Sequence, residues 1–168
     1  LETAAGGRIA TLAEVLQHAA AGRPVLLDIK DETPPALAAI ADAIVATVPP
    51  AQRHLVIAGC HTLDAVQFFA ARQDTAILGF IPATDQAEAF LGAGARLIRL
   101  WERDVSADRI ALLHALGAEV WVTAGGIGTA YNVGDTSPQN LATLEKSGVR
   151  GVLVNDVAMA RTALETLR

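Results

Sequence analysis

The chain has 168 residues, 52% of them hydrophobic but only 4% aromatic, with a formal net charge of −5. That length suits a single domain, 1–168, with a substantial aliphatic core, and the acidic balance supplies no basic surface for nucleic acid. No apolar run approaches the roughly 18 residues of a membrane span, and one cysteine, Cys60, excludes an intrachain disulfide. The expectation is a soluble chain, with the cytoplasm favoured as its location. The sequence starts Leu1-Glu2-Thr3 and its one methionine is Met159, so a segment upstream is expected.

Taken in order, the elements are well punctuated. A helix over 11–21 opens with Thr11 and Glu14 at capping-box spacing, where hydroxyl and carboxylate satisfy each other's orphan N–H groups. The strand Val25–Lys30 follows. Thr33-Pro34 then starts a helix over 34–48, with Leu37, Ile40, Ala41, Ile44 and Val48 on one face. Strand Leu55–Cys60 leads to a helix over 62–72 with Thr62 as N-cap, and strand Ala76–Ile81 to a helix over 84–93 capped by Thr84. Strand Leu97–Trp101 precedes a helix over 106–116, capped by Ser106 and apolar at Ile110, Leu113 and Leu116. Strand Val120–Thr123 runs into the longest irregular stretch, Gly125–Ser137. Ser137-Pro138 starts a helix over 138–147, and strand Gly151–Asp156 leads to a last helix over 157–167. Gly22, Gly94, Gly117 and Gly148 stand where helices should stop.

Continuous Val/Ile/Leu strands alternating with amphipathic helices describe a parallel α/β sheet covered on both faces. A (β/α)8 barrel of the TIM type needs eight strands and about 250 residues. This chain offers six strands and opens on a helix, so it reads as the last six βα units of a barrel, with a six-stranded open sheet as the other arrangement. Either one places chemistry at the carboxyl ends of the strands. There stand Asp28, Lys30, His61, Trp101, Glu102, Thr123 and Asn155.

Asp28 and Lys30, at i and i+2, share one side of their strand, and two charges on a Val/Leu/Ile strand point to a site more than to packing. His61 reads equally as a pocket residue or as a polar turn residue before Thr62. His18, His54 and His114 read as ordinary surface or packing residues. Trp101 reads as a pocket wall and Glu102 as a solvated carboxylate. Asp156 reads as the N-cap of the last helix. The loop Gly125–Gly128 offers backbone N–H groups to a phosphate, yet it lacks the Lys-Ser/Thr pair of a P-loop. A mobile substrate loop is the better reading.

Four segments carry a family resemblance. They are Ile9–Leu16, Val25–Lys30, the strand Gly117–Thr123, and Ser147–Asp156. In that order and spacing the chain resembles the glycerophosphodiester phosphodiesterases, whose helix "P-T-L-x-E-V-L" leads into a strand ending "E-I-K". Their later strands read "G-x-x-V-x-x-W-T" and "G-V-D-G-I-I-T-D". The resemblance implies a TIM barrel and metal-dependent cleavage of a small-molecule glycerophosphodiester to an alcohol and glycerol phosphate. It places Asp28 at the position of a glutamate that binds Mg²⁺ or Ca²⁺, Lys30 at a catalytic lysine near the phosphate, and Trp121 near a wall of the glycerol pocket. Trp101, His61 and Thr123 join Trp121 as expected substrate contacts. The family's N-terminal His-Arg-Gly and Glu-x-Asp motifs are absent, and Val122-Thr123-Ala124 stands where the family has Thr-x-Asn. The alternative is a truncated or degenerate barrel that binds a phosphorylated ligand or assembles with another chain. A missing N-terminal segment or an oligomer would cover its open sheet edges. A phosphate-binding barrel of the isomerase or synthase kind, using Gly125–Gly128, is a third reading.

Overall fold

The computed structural model describes residues 6–72 and 74–166. Six strands, β1 (Val25–Asp28), β2 (Val56–Cys60), β3 (Ala76–Gly79), β4 (Leu97–Trp101), β5 (Glu119–Thr123) and β6 (Gly151–Leu153), are hydrogen-bonded in chain order. Between and around them run seven α-helices: α1 (Leu12–Ala20), α2 (Pro34–Thr47), α3 (Leu63–Ala70), α4 (Ala87–Ala93), α5 (Ala107–Ala115), α6 (Pro138–Lys146) and α7 (Val157–Thr166). The pairs β1–β2, β4–β5 and β5–β6 are parallel, with Asp28 opposite Gly59 and Trp101 opposite Thr123. Parallel neighbours in chain order, each followed by a helix, are the repeat of a barrel segment. The expected end of the last helix at 167 lies outside the described residues.

Contacts within the chain gather into two compact units, Leu1–Leu78 and Gly79–Arg168. In the first, β2 is buried along its whole length, and Leu16, Ile44, Val66 and Phe69 are buried core residues. In the second, Phe90, Ile98, Leu100, Val120 and Leu141 form the core. Each such side chain taken fully out of water stabilises its unit by about 1.5–3 kcal/mol. Gly79 lies against Phe90: a Cβ there would sit 2.8 Å from that ring's Cδ1, so only a glycine lets α4 close on β3.

Caps fall largely where the sequence puts them. Thr11 and Glu14 form the reciprocal box, and Thr62, Ser106 and Ser137 each accept an N–H three residues on. Two differ. Thr33 makes no side-chain cap; Pro34 and Pro35 fill the first two helical positions, and the Thr33 N–H donates to Asp31 Oδ1 at 3.1 Å. Thr84 sits inside a 3₁₀ turn, Thr84–Gln86, and α4 begins only at Ala87. Strands also end earlier than their apolar runs suggest, β1 at Asp28, β3 at Gly79 and β6 at Leu153. Leu116 is exposed at the end of α5. A 3₁₀ turn over Pro50–Leu55, unforeseen in the sequence, carries the chain into β2 after Pro49-Pro50 stops α2. Arg53 fixes it by donating to Val48 O at 3.1 Å and pairing with Asp74 at 3.3 Å.

Candidate active site

Each unit carries its own polar group at strand ends. In the first, Asp28 closes β1 and is the centre of a cluster. Its Oδ2 meets Lys30 Nζ at 2.8 Å and its Oδ1 meets His61 Nε2 at 2.8 Å. The i, i+2 spacing puts Lys30 on Asp28's side, and the parallel register delivers His61, two residues past Gly59, to the same place. Partial burial works to raise the Asp28 pKa, but hydrogen bonds from Lys30 and His61, with their charges, hold it below the usual carboxylate value. An ionised carboxylate only accepts, so a neutral His61 must carry its proton on Nε2, leaving the lone pair on Nδ1. The three expected residues are therefore brought together. His61, which reads equally as a pocket or a turn residue in the sequence, stands beside Asp28 through that bond.

Glu32 is the residue that sequence reasoning missed. It accepts the His61 backbone N–H through Oε1 and the Thr62 hydroxyl through Oε2. The available signal was its place four residues beyond Asp28 at the mouth of the same strand, in the run Asp28-Ile29-Lys30-Asp31-Glu32. Its charge also touches the neighbouring thiol: burial, with Glu32 nearby, pushes Cys60 up to about 12.

In the second unit, Arg99, Trp121 and Gly151 stand in register across β4, β5 and β6, and Trp101, Thr123 and Leu153 form the next row. Trp121 lies flat against β6, since a Cβ on Gly151 would come within 2.7 Å of its ring. Arg99 is buried, 7% exposed, with its guanidinium 4.2 Å from the Trp101 ring centroid and 4.9 Å from that of Phe80. Trp101, with Arg103, Ile127 and Val133, lines a small cavity of about 180 Å³. A wider groove of about 630 Å³ lies between α6 and α7, but no ionisable side chain lines it.

The stretch 125–137 is tied at its base. Gly125 N–H donates to Glu102 Oε2 at 2.7 Å, Gly134 N–H to Ala124 O at 2.7 Å, and Gly126 N–H to Tyr131 O at 2.9 Å. Asn155 locks the far end, donating from Nδ2 to Val133 O and to Asp135 Oδ1, each at 3.0 Å. Glu102 and Asn155 thus hold this loop through its backbone, and Gly125 N–H is spent on Glu102 instead of an incoming phosphate. Asp156 caps α7 by accepting Met159 N–H at 2.8 Å, as its position suggests. The sequence does contain one Glu-x-Asp spacing, Glu102-Arg103-Asp104, in a 3₁₀ turn directly after β4. There Glu102 serves the loop and Asp104 lies 3.8 Å from Arg103.

The donor set around Asp28 is poor for a divalent cation. Mg²⁺ and Ca²⁺ take six or more oxygen ligands. Asp28 is one carboxylate with one oxygen on the Lys30 ammonium and the other on the His61 imidazole, and Lys30 Nζ stands where a metal would meet repulsion. Among the described residues no group of three or more His, Cys, Asp or Glu side chains is placed to hold a metal ion. These residues by themselves do not fit the ion. Nor, among the described residues, is any helix long and apolar enough to cross a membrane.

No family model and no curated protein matches the chain. Solved structures do. A provisionally named glycerophosphodiester phosphodiesterase from Galdieria sulphuraria aligns with a TM-score of 0.76 at 14% identity, over 99% of this chain and 67% of that one. A glycerophosphoryl diester phosphodiesterase from Parabacteroides distasonis aligns at 0.69 and 17% identity, over 99% and 60%. A provisionally named one from Silicibacter pomeroyi aligns at 0.68 and 19% identity, over 93% and 56%. At such identities the likeness establishes the fold, a partial α/β barrel of the TIM type. These three solved structures are glycerophosphodiester phosphodiesterases by name, and this chain spans 56% to 67% of their length.

Proposed function

We propose that this chain forms part of a hydrolase of the glycerophosphodiester phosphodiesterase kind, and that Asp28, Lys30 and His61 are its contribution to the phosphate site. The observation that carries the reading is the single carboxylate of Asp28 holding an ammonium and an imidazole at 2.8 Å each, at the carboxyl ends of β1 and β2. That is where a parallel barrel gathers its chemistry. Lys30 offsets charge on the transferring phosphoryl group. His61, with its proton on Nε2 toward Asp28, presents Nδ1 as a base for the substrate or for water. For the second unit taken by itself, Trp101, Trp121 and Thr123 keep the reading that the resemblance gives them, as contacts to a small polar ligand. The proposal routes no step through a divalent cation at Asp28, whose two oxygens are taken by Lys30 and His61.

The test is hydrolysis of a glycerophosphodiester by the chain with Mg²⁺ or Ca²⁺ present, comparing Asp28→Ala and Lys30→Ala with the unaltered protein. Both variants should lose at least 10-fold, on the order of one lost charge-assisted interaction in the transition state. Unchanged turnover in Asp28→Ala refutes the assignment. The lone carboxylate also favours a second reading, a non-catalytic barrel that binds a phosphorylated ligand. A chain that binds glycerol 3-phosphate through Lys30 but never turns over a diester establishes that one.

A further inference from the structure

We infer that Glu32 is the positioning residue of this site, setting the His61 imidazole against Asp28 by clamping the turn between β2 and α3. The inference rests on the reading that Asp28, Lys30 and His61 are the working group. One carboxylate makes two contacts to consecutive residues of that turn, the His61 backbone N–H and the Thr62 hydroxyl. Thr62 in turn caps α3 by accepting Ala65 N–H at 3.3 Å. Glu32 therefore ties the start of α3 to the segment leaving β1. The Asx turn at Asp31, whose Oδ1 accepts Thr33 N–H at 3.1 Å, shapes that segment.

The geometry divides the labour between two carboxylates. Glu32 fixes the backbone of His61, and Asp28 fixes its ring at 2.8 Å. Ladder pairing cannot do this alone, because the last β1–β2 bond, Ile29 N–H to Gly59 O at 3.1 Å, stops two residues short of His61. Beyond that bond Glu32 joins the two strand ends through the main chain of the turn. Charge-assisted bonds to backbone N–H and hydroxyl groups are the strong class of hydrogen bond, which suits a clamp. Holding one imidazole nitrogen on a carboxylate also selects the tautomer, and a selected tautomer is what a proton-transferring histidine requires.

The experiment is long-range ¹H–¹⁵N correlation of the His61 ring in the intact chain, at alkaline pH where an ordinary imidazole is neutral. The expected spectrum of the unaltered protein shows one Nε2-protonated tautomer for His61, against averaged signals for the exposed His18 and His54. Glu32→Ala should collapse His61 to the averaged pattern while far-UV circular dichroism stays native. Glu32→Gln retains an acceptor for the His61 N–H and should restore the single tautomer, with that amide proton moved upfield by loss of the charged acceptor. A single tautomer in folded Glu32→Ala overturns the inference, as does an averaged His61 in the unaltered chain. Should Glu32→Ala fail to fold, Glu32→Gln decides: an unmoved His61 amide, or an averaged ring, overturns it. The readout is a tautomer and not turnover. Absent hydrolysis with this response intact refutes the functional reading alone, and the reverse refutes the positioning role alone.

Discussion

Gly125→Ala should destabilise the second unit far more than an ordinary loop substitution, because Gly125 is both left-handed and walled in. Its φ is +68°, and a Cβ would lie 1.9 Å from the carbonyl oxygen of Asn132 and 2.9 Å from that of Asp135. Carbon and carbonyl oxygen approach no closer than about 3.3 Å in ordinary contacts, so the Asn132 carbonyl must retreat by more than an ångström. That movement breaks the bond it accepts from Asp135 N–H at 2.9 Å. It also strains the Gly134–Ala124 and Gly126–Tyr131 bonds at 2.7 and 2.9 Å. Each such bond is worth about 1 kcal/mol net, and the left-handed backbone costs a side chain about 1 kcal/mol more. The expected loss is about 3 kcal/mol, or a fall in Tm of about 6–12 °C for a chain of this size.

Gly128→Ala is the matched control. Its φ is +86°, but the nearest atom to a Cβ is Arg103 Cβ at 3.5 Å, so only the backbone cost of about 1 kcal/mol applies. The assay is thermal unfolding followed by tryptophan fluorescence, since both tryptophans, Trp101 and Trp121, lie in the second unit. Two variants melting within a degree or so of each other would show that the loop is free to move aside. The tied-loop account would then be wrong.

Two further outcomes follow from the first unit. Cys60 is buried and its thiol is pushed up to about 12, by burial and then by Glu32. It should resist a disulfide reagent in the native chain and react fully in denaturant; rapid native labelling contradicts the packing of β2. The Asp28 carboxyl is held below its ordinary value in the folded chain, so its contribution to stability is complete above the ordinary carboxylate range. That contribution is lost as pH falls through the lowered value. Asp28 is 43% exposed, which limits the effect to about 1 kcal/mol or less. Asp28→Asn should flatten the acid limb of the stability–pH profile by that amount, and an unchanged limb in denaturant titrations from neutral to acid pH would contradict the bridge.

Much of this architecture was legible in the sequence. Local physics decides where an aliphatic run can be a strand and where a hydroxyl, a proline or a glycine starts or stops a helix. That is why Thr11, Thr62, Ser106 and Ser137 cap as their spacing says, and why six strands appear in place. It also suffices to pair Asp28 with Lys30, because a two-residue spacing on a strand is a local fact. The order of the strands, the register that brings His61 to Asp28, and the reach of Glu32 to the turn after β2 were decided only by the folded chain. Glu32 lies 29 residues from His61 in sequence, and no periodicity encodes a contact of that length. The loop after β5 shows the same division. Its glycines announce an irregular stretch, but Glu102 and Asn155 come from the ends of other strands. What they do to that stretch depends on parallel neighbours placing their carboxyl ends side by side.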